Sequence, residues 1–359
     1  MSRAWVERVE AWSGRAPAWR EREPSLHAER TDRPLFIGAC PRSGTTLLRS
    51  LLNNHPDLAM PAETDFLLYL WANRGRLGDL RDPARRRRLA EWIFDTPDRG
   101  GRRIRAGVFS RDEAVERVAA APPTLGSVFS AVFALFAEAK GKPRWGDKRP
   151  GYAGHISTLF ALFPHAQFIN VVRDPRAATD SQMRAPWYRD LPEPALAASV
   201  ATWEFAVARV DRFAGELRPD QLLDVRYEDL VREPELTLER ICAFAGLRGG
   251  DAIAEMLARP RSGGLQDDWH AKVPEPISTA PVDAWRDRLE PSQVALIEHA
   301  TRAQLERFGY TPTADAAPSA YDLRRLHRQR RKRAVKWRRY VLGELKRRHI
   351  THRHPVAAR

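Results

Sequence analysis

The stretch PLFIGACPRSGTTLLRSLLNNHP, residues 34–56, determines the fold class of this chain. Residues 34–40 are a short apolar run that predicts a buried strand, and leucines recur at helical spacing between positions 47 and 52. The segment between them predicts a tight turn that ends at a helix N-terminus. Because main-chain N–H groups and the helix dipole both favour an anion at such a turn, the stretch predicts a phosphate-binding loop.

Five consecutive residues of this loop are the candidate phosphate ligands: Arg42, Ser43, Gly44, Thr45 and Thr46. Ser43 and Gly44 allow a tight turn, the two threonines place hydroxyls at the start of the helix, and Arg42 adds a fork-shaped cation. The ATP-type loop GxxxxGK[ST] carries a lysine after its second glycine, where this chain has Thr45. A loop without that lysine suits a nucleotide that carries a 5′-phosphate but no triphosphate.

A second phosphate site is predicted at the end of another strand. AQFINVVR, residues 166–173, alternates β-branched and aromatic side chains, and a helix is predicted to begin near Pro175. Open α/β sheets bind ligands in the crevice beyond the carboxyl ends of their strands, where Arg173 would lie. Ser181 follows shortly afterwards on the predicted helix. Arg173 and Ser181 are therefore candidate ligands of a second, separate phosphate.

The chain is predicted to have three parts. Residues 1–32 form an N-terminal arm, residues 33–310 a single domain, and residues 311–359 a basic, helical C-terminal tail. Within the domain, predicted strands alternate with helices, and residues 66–140 predict a largely helical insertion. This order predicts an α/β fold with a P-loop-type parallel sheet flanked by helices, with helical insertions and a basic C-terminal helix.

At this point the residues resemble the PAPS-dependent sulfotransferases, which use 3′-phosphoadenosine-5′-phosphosulfate (PAPS). PRSGTTLL (41–48) is similar to their 5′-phosphosulfate loop, and VVRDPRAATDS (171–181) is similar to their 3′-phosphate motif. The resemblance is closer to bacterial sulfotransferase-family proteins and to the tyrosylprotein sulfotransferases, and it spans about residues 33–310. It continues through residues 53–64, 142–150, 225–247 and 282–289.

The resemblance implies a general base and a cation for the leaving group. Glu63 aligns with the glutamate that acts as the base in the tyrosylprotein branch, and Asp65 is the second candidate. Lys148 aligns with the lysine that faces the bridging oxygen between sulfate and 5′-phosphate, and Arg149 competes with it for that role. Arg42 would share the work at the leaving group.

The remaining implied roles concern nucleotide binding and the reaction. Arg173 and Ser181 carry over as ligands of the 3′-phosphate, and the loop residues 42–46 as ligands of the 5′-phosphosulfate. The implied reaction is direct in-line transfer of a sulfuryl group from PAPS, as co-substrate, to an acceptor hydroxyl or amine without a metal. The acceptor would be a small molecule, a glycan, a lipid or a peptide.

Two other functions remain open from the residues alone. A P-loop kinase or NTPase would share the strand, loop and helix, but the missing lysine argues against it. A non-catalytic polyanion-binding protein would be driven by the basic tail. The two phosphate motifs argue against that function, because such a protein has no need of them.

The net charge of +14 is concentrated in the tail. Residues 321–359 contain fifteen Lys/Arg and two acids, which leaves a net charge of only +1 on the rest of the chain. A basic helix with Trp and Leu can lie at an anionic membrane surface, and Arg330, Arg331, Lys332 and Arg333 supply its densest charge. The alternative is a helix that packs its apolar residues on the body or on a second subunit. Nucleic acid is not expected as a partner.

Composition favours a cytoplasmic protein, peripheral at the membrane if the tail binds it. No run of 18 apolar residues is present, and the N-terminal residues lack the apolar core of a secretory signal. Cys40 and Cys242 are too few for a disulfide framework, which fits a reducing compartment. No cluster of histidine, cysteine and carboxylate residues has the spacing of a metal site.

Overall fold

The computed structural model describes residues 33–64, 66–96, 109–186, 195–261 and 276–353, with side chains up to residue 343. The predicted N-terminal arm and Asp65 lie outside these described residues.

A five-stranded parallel sheet forms the centre of the described part of the chain, in the order β2-β3-β1-β4-β5. The strands are β1 (Leu35–Ala39), β2 (Leu58–Ala59), β3 (Arg144–Lys148), β4 (Gln167–Val172) and β5 (Leu222–Arg226). In the register of the sheet, Ile37 of β1 lies beside Lys148 of β3, and Ala39 lies beside Val171 of β4. The carboxyl ends of these three strands therefore meet at one edge, where open α/β sheets bind their ligands.

Helices cover both faces of this sheet. The helices from the amino-terminal half are α1 (Thr45–Asn54), α2 (Phe66–Ala72), α3 (Pro83–Asp95), α4 (Arg111–Ala119), α5 (Leu125–Glu138), α6 (Ile156–Leu162) and α7 (Pro175–Met183). Those that follow are α8 (Ala195–Ala214), α9 (Tyr227–Arg232), α10 (Pro234–Ala245), α11 (Asp251–Ala258), α12 (Ala280–Asp283), α13 (Pro291–Arg307) and α14 (Ala320–Arg353). Two 3₁₀ turns lie at Arg74–Arg76 and Pro150–Gly154.

Strand β1 is buried on both faces, as expected of the central strand of a parallel sheet. Leu35 and Ile37 join one hydrophobic cluster with the leucines of α1, whereas Phe36 joins a second cluster with Trp145 and Phe168. Successive side chains of a strand point to opposite faces, so the continuous apolar run of β1 contributes to both cores. The predicted fold class, including the basic C-terminal helix, is confirmed.

One segment differs from its prediction. The pattern of YAGHISTLFALFP, residues 152–164, predicts one helix, but the chain makes the 3₁₀ turn Pro150–Gly154 before α6 begins at Ile156. At the turn, Tyr152 is fully buried and its hydroxyl donates to Asp147 of β3. The hydrogen bond between Tyr152 and Asp147 therefore favours the 3₁₀ turn over the helix that the apolar spacing predicts.

The C-terminal helix α14 packs on the body. Leu326, Trp337 and Val341 are buried, and the guanidinium of Arg209 on α8 lies 4.1 Å from the centre of the Trp337 ring. Arg330 pairs with Glu204 of α8. The packing alternative for the tail is thus observed for one face of the helix. None of the described helices is long and apolar enough to span a membrane.

A buried ion cluster joins the domain to the segment before α14. Arg176 of α7 donates to Asp174 and, at 2.6 Å, to Glu298 of α13, and it also donates to the carbonyl of Thr311. Glu298 in turn accepts the main-chain N–H groups of Thr313 and Ala314 at 3.0 and 2.9 Å. These contacts fix the start of α7 against the segment that leads into the tail.

Candidate active site

The loop after β1 contains two residues in the left-handed region of backbone conformation, Arg42 (φ 70°) and Gly44 (φ 91°). Arg42 is the only non-glycine residue with a positive φ in the described part of the chain, and such a conformation costs about 1–3 kcal/mol. Gly44 has a second constraint, because a Cβ atom there would lie 2.3 Å from Cδ2 of Tyr227. The ring of Tyr227 thus leaves no room for a side chain at this position of the loop.

Helix α1 begins at this loop with its N-terminus available to an anion. Gly44 is the N-cap residue, and no acidic residue stands in the first turn. The N–H groups of a first helical turn have no partner within the helix. The hydroxyl of Ser43 is also buried and has no hydrogen-bond partner among the described residues. A buried polar atom without a partner is unfavourable, so a ligand that accepts a hydrogen bond from Ser43 fits this loop.

Arg42 links the two predicted phosphate sites. Its Nε atom donates to the hydroxyl of Ser181 at 3.2 Å, and its main-chain carbonyl accepts from Nη1 of Arg173 at 2.9 Å. Burial and then the charges of Arg173 and Arg184 lower the pKa of Arg42 from its ordinary value. The predicted ligands of both phosphates therefore form one contiguous cationic group.

Arg173 is held in place by groups around it. Its Nη2 atom donates to the carbonyl of Pro281 at 2.6 Å, and its guanidinium lies 4.6 Å from the centre of the Tyr227 ring. The indole N–H of Trp203 donates to the main-chain carbonyl of Arg173. The contact with Pro281 brings α12 to the site. The sequence alone did not show which residues between 259 and 282 lie near the predicted phosphate sites, and residues 262–275 lie outside those described.

Glu63 and Lys148 form an ion pair, with Oε2 and Nζ separated by 2.9 Å. Lys148 is 3% exposed at its side chain and Glu63 is 29% exposed, so the carboxylate is the member of the pair that solvent reaches. The Nζ atom also lies 3.4 Å from the hydroxyl of Thr46 on α1. The structure thus brings the candidate base, the candidate leaving-group cation and the phosphate loop together at the edge of the sheet.

Two further polar residues lie beside this pair, and of these Asp147 was not identified from the sequence as a site residue. Asp147 is fully buried in β3, and its Oδ2 atom accepts from the hydroxyls of Thr64 at 3.1 Å and Tyr152 at 2.5 Å. Arg149, the competing cation, donates through Nη1 to the carbonyl of Thr64 at 2.8 Å. An aspartate inside an otherwise buried strand was the available signal. It was missed because a carboxylate directly before Lys148 reads as part of a polar loop.

Comparison with known proteins agrees with this arrangement. Residues 34–251, more than half of the chain, match the sulfotransferase family. Protein-tyrosine sulfotransferase 1 of Danio rerio is 27% identical over 307 residues, which cover 79% of this chain and 74% of that protein. A putative protein-tyrosine sulfotransferase of Caenorhabditis briggsae is 26% identical over 260 residues, covering 70% of this chain and 80% of that protein.

The fold shows the same similarity. The sulfotransferase domain from the curacin biosynthetic pathway superimposes with a TM-score of 0.56, at 20% identity, over 79% of this chain and all of that domain. The fold thus agrees with the family match found on the sequence. The chain belongs to the sulfotransferase family.

The contact between Gly44 and Tyr227 leads to the first prediction. We expect Gly44→Ala to lower the free energy of unfolding by about 2 kcal/mol or more, because the new methyl group meets the ring and the residue has a positive φ. Urea unfolding followed by tryptophan fluorescence measures the change. Gly215→Ala is the matched control, since a Cβ atom there has nothing within 4 Å. Equal stability of the two variants would contradict the steric role of the ring.

Proposed function

We propose that this sulfotransferase transfers the sulfuryl group of PAPS to an acceptor hydroxyl or amine by direct in-line displacement. The observation that carries the proposal is the cationic group at the ends of β1 and β4, where Arg173 donates to Arg42, beside the Glu63–Lys148 pair at the end of β3. Membership of the sulfotransferase family supports the reaction. The two phosphate motifs support PAPS as the sulfuryl donor.

The described residues fit such a nucleotide. In the proposal, residues 42–46 bind the 5′-phosphosulfate, and Arg173 with Ser181 binds the 3′-phosphate. The buried hydroxyl of Ser43, without a partner among the described residues, suits an anionic oxygen. Burial, and then repulsion by Arg173 and Arg184, lower the pKa of Arg42, and a bound phosphate would offset that repulsion. Both features favour a polyanionic nucleotide over a neutral ligand.

In the proposed reaction, Glu63 takes the proton of the acceptor while the acceptor oxygen or nitrogen forms a bond to sulfur. The bond between sulfur and the 5′-phosphate oxygen breaks, and the leaving group departs as 3′-phosphoadenosine-5′-phosphate. Lys148 and Arg42 stabilise the charge that develops on that oxygen. The step is proposed without a metal.

The ion pair between Glu63 and Lys148 is also consistent with their proposed roles as base and leaving-group cation. Lys148 neutralises Glu63 before a nucleotide binds. In the proposed reaction, Lys148 moves from Glu63 to the leaving oxygen, and the Glu63 carboxylate is then free to take the acceptor proton. The kinase or NTPase alternative is not supported, because the chain belongs to a family of sulfotransferases.

The role of Arg173 is tested by nucleotide-dependent stabilisation. We expect 3′-phosphoadenosine-5′-phosphate to raise the melting temperature at micromolar concentration more than adenosine 5′-phosphate does, because only the former engages Arg173 and Ser181. Arg173→Ala should remove most of that difference. Arg232→Ala is the control, since Arg232 is a half-exposed arginine whose salt-bridge partner is Asp283. Equal stabilisation of the unaltered protein by the two nucleotides would refute the 3′-phosphate site.

The role of Glu63 is tested by separating binding from turnover. We expect Glu63→Gln to leave the stabilisation by 3′-phosphoadenosine-5′-phosphate nearly unchanged and to reduce turnover about 10²–10⁴-fold, because the amide cannot accept the proton. Turnover is measured by mass spectrometry with PAPS and a panel of acceptor phenols, sugars, lipids and peptides. Lys148→Ala should also lower turnover through poorer leaving-group stabilisation. If Glu63→Gln is active and Asp65→Asn is not, Asp65 is the base.

We also propose a cytoplasmic location with a peripheral contact to anionic membrane through α14. Two thiols support the location, since Cys40 and Cys242 are both free and buried. The membrane contact is supported by the face of α14 opposite its buried residues. That face, here called the outer face, consists of Tyr321, Arg324, Arg328, Arg331, Lys332, Val335, Arg339 and Leu342, all of them exposed.

The outer face combines cations with apolar side chains. Tyr321, Val335 and Leu342 are 53%, 46% and 37% exposed, which makes them three of the exposed large hydrophobic residues in the described part of the chain. The helix is anchored by its opposite face, so the outer face is displayed as one line about 30 Å long. Exposed apolar residues between cations suit a lipid surface better than a purely charged polyanion. In the densest run of charge, residues 330–333, Arg330 contacts Glu204 and Arg333 contacts Thr202. Only the two residues between them, Arg331 and Lys332, lie on the outer face.

The outer face is tested with vesicles. We expect Arg324→Gln, Arg331→Gln and Arg339→Gln together to weaken binding to phosphatidylserine-containing vesicles about a hundredfold at low salt, since each basic residue contributes about 1 kcal/mol. Co-sedimentation measures the binding. The control replaces Arg85, Arg87 and Arg88 on α3 by glutamine, which removes the same charge from another exposed helix. Equal loss in both variants, or binding to duplex DNA in place of vesicles, would contradict the membrane proposal.

A further inference from the structure

Three consecutive residues at the end of β3 hold the segment that carries the proposed base. Lys148 contacts the side chain of Glu63, Arg149 donates to the carbonyl of Thr64, and Asp147 accepts from the hydroxyl of Thr64. Two neighbouring residues are thus fixed by three contacts. Glu63 lies outside any strand or helix, so these contacts, rather than main-chain pairing in the sheet, determine where its carboxylate lies.

Asp147 differs from the other two because it is completely buried. Both hydroxyl groups that reach it donate to the same oxygen, Oδ2, and Oδ1 has no hydrogen-bond partner among the described residues. A fully buried carboxylate with no salt-bridge partner among the described residues is costly to keep charged. The burial of this carboxylate in β3 therefore points to a role beyond folding.

The charged groups around Asp147 come from four parts of the structure. Glu63 follows β2, and its negative charge acts on Asp147. Lys148 is the next residue of β3 after Asp147. The charge of Asp147 acts on the buried Arg49 of α1, and the hydroxyl of Tyr152 in the 3₁₀ turn contacts Asp147 directly. Burial raises the pKa of Asp147 from 3.8 to about 7, with the charge of Glu63 adding to the rise and the hydrogen bonds from Tyr152 and Thr64 opposing it.

We propose that Asp147 is a positioning residue for the base, holding Thr64 so that Glu63 faces Lys148, and that its ionisation strengthens Glu63 as a proton acceptor. The inference rests on the proposed function of Glu63. Ionised Asp147 accepts from both hydroxyls without competition, which fixes the segment. Its negative charge, close to Glu63, also increases the attraction of the Glu63 carboxylate for the acceptor proton. Turnover therefore rises as the pH passes through the titration of Asp147.

The effect on stability has the opposite sign. The carboxyl group of Asp147 has a higher pKa in the folded chain than its ordinary value, so folding favours the neutral form. The associated stability is complete below about pH 4 and is lost as the pH rises through about 7. The protein thus loses this stability between about pH 4 and pH 7, whereas its proposed base becomes more effective only as Asp147 ionises around pH 7.

The first measurement needs no acceptor. Asp147→Asn keeps an oxygen that accepts from Thr64 and Tyr152 but carries no charge at any pH. We expect its melting temperature, relative to that of the unaltered protein, to increase by a few degrees between pH 5 and pH 8. Asp57→Asn is the control, because the hydrogen bond from Arg248 lowers the pKa of Asp57 and its melting-temperature difference should stay constant over this range. A constant difference for Asp147→Asn across this range would overturn the assigned titration.

The second measurement uses PAPS with whichever acceptor of the panel is sulfated. We expect the pH profile of kcat to show an inflection near pH 7 in the unaltered protein and none in Asp147→Asn, with KM for PAPS similar in both. Tyr152→Phe removes one hydrogen bond that lowers the pKa of Asp147, so the inflection should move to higher pH. A purely structural role would change melting temperature without moving the inflection, and that result would overturn the proposal.

These two measurements separate this inference from the proposed function. If no acceptor is sulfated, the proposed function fails, while the melting temperatures still report whether Asp147 titrates near pH 7. If transfer occurs and the profile of Asp147→Asn matches that of the unaltered protein, the role of Asp147 is wrong and sulfuryl transfer stands. If Asp147→Asn does not fold, the shift in Tyr152→Phe decides the question.

Discussion

Parallel pairing of β1 with both β3 and β4 is the constraint on which the site depends. The pairing places Lys148 beside Ile37 and Val171 beside Ala39, so the residues that follow each strand emerge at one edge. The phosphate loop, Lys148 and Arg173 are far apart in the sequence and meet only because of this register. A shift of β3 by one residue would turn each of these side chains, Asp147 and Lys148, to the other face of the sheet. Glu63 would then lose its ion pair with Lys148, and Thr64 would lose its contact with Asp147.

The sequence predicted the part of the site that local patterns encode. The strand, turn and helix around Gly44 follow from an apolar run, a glycine and leucines at helical spacing, and the structure has them at Leu35–Ala39 and Thr45–Asn54. The contacts between distant segments were not predictable in the same way. Nothing in the sequence indicated that Arg173 would donate to the carbonyl of Arg42, or that Pro281 would approach it, because those contacts depend on packing.

The site also illustrates how a protein keeps several cations together before an anion binds. Lys148 is neutralised by Glu63, and Arg173 donates to main-chain carbonyls and lies against the ring of Tyr227. Arg42 has the hydroxyl of Ser181. Apart from the Glu63–Lys148 pair, these partners are neutral groups, which satisfy donors without cancelling charge. An electrostatic attraction for a polyanion is therefore retained while the donors stay satisfied.

The buried Arg176 has a consequence for what counts as the catalytic unit. Its partner Glu298 accepts from Thr313 and Ala314, and Arg176 itself donates to Thr311. The sequence predicts a domain that ends at residue 310, but a polypeptide cut there would leave Arg176 and Glu298 inside the protein with several of their partners removed. Breaking a buried charge cluster from one side is far more costly than never having formed it. A natively folded piece of this enzyme should therefore extend at least to Ala314. The residues at the start of the predicted tail hold the first turn of α7 in place.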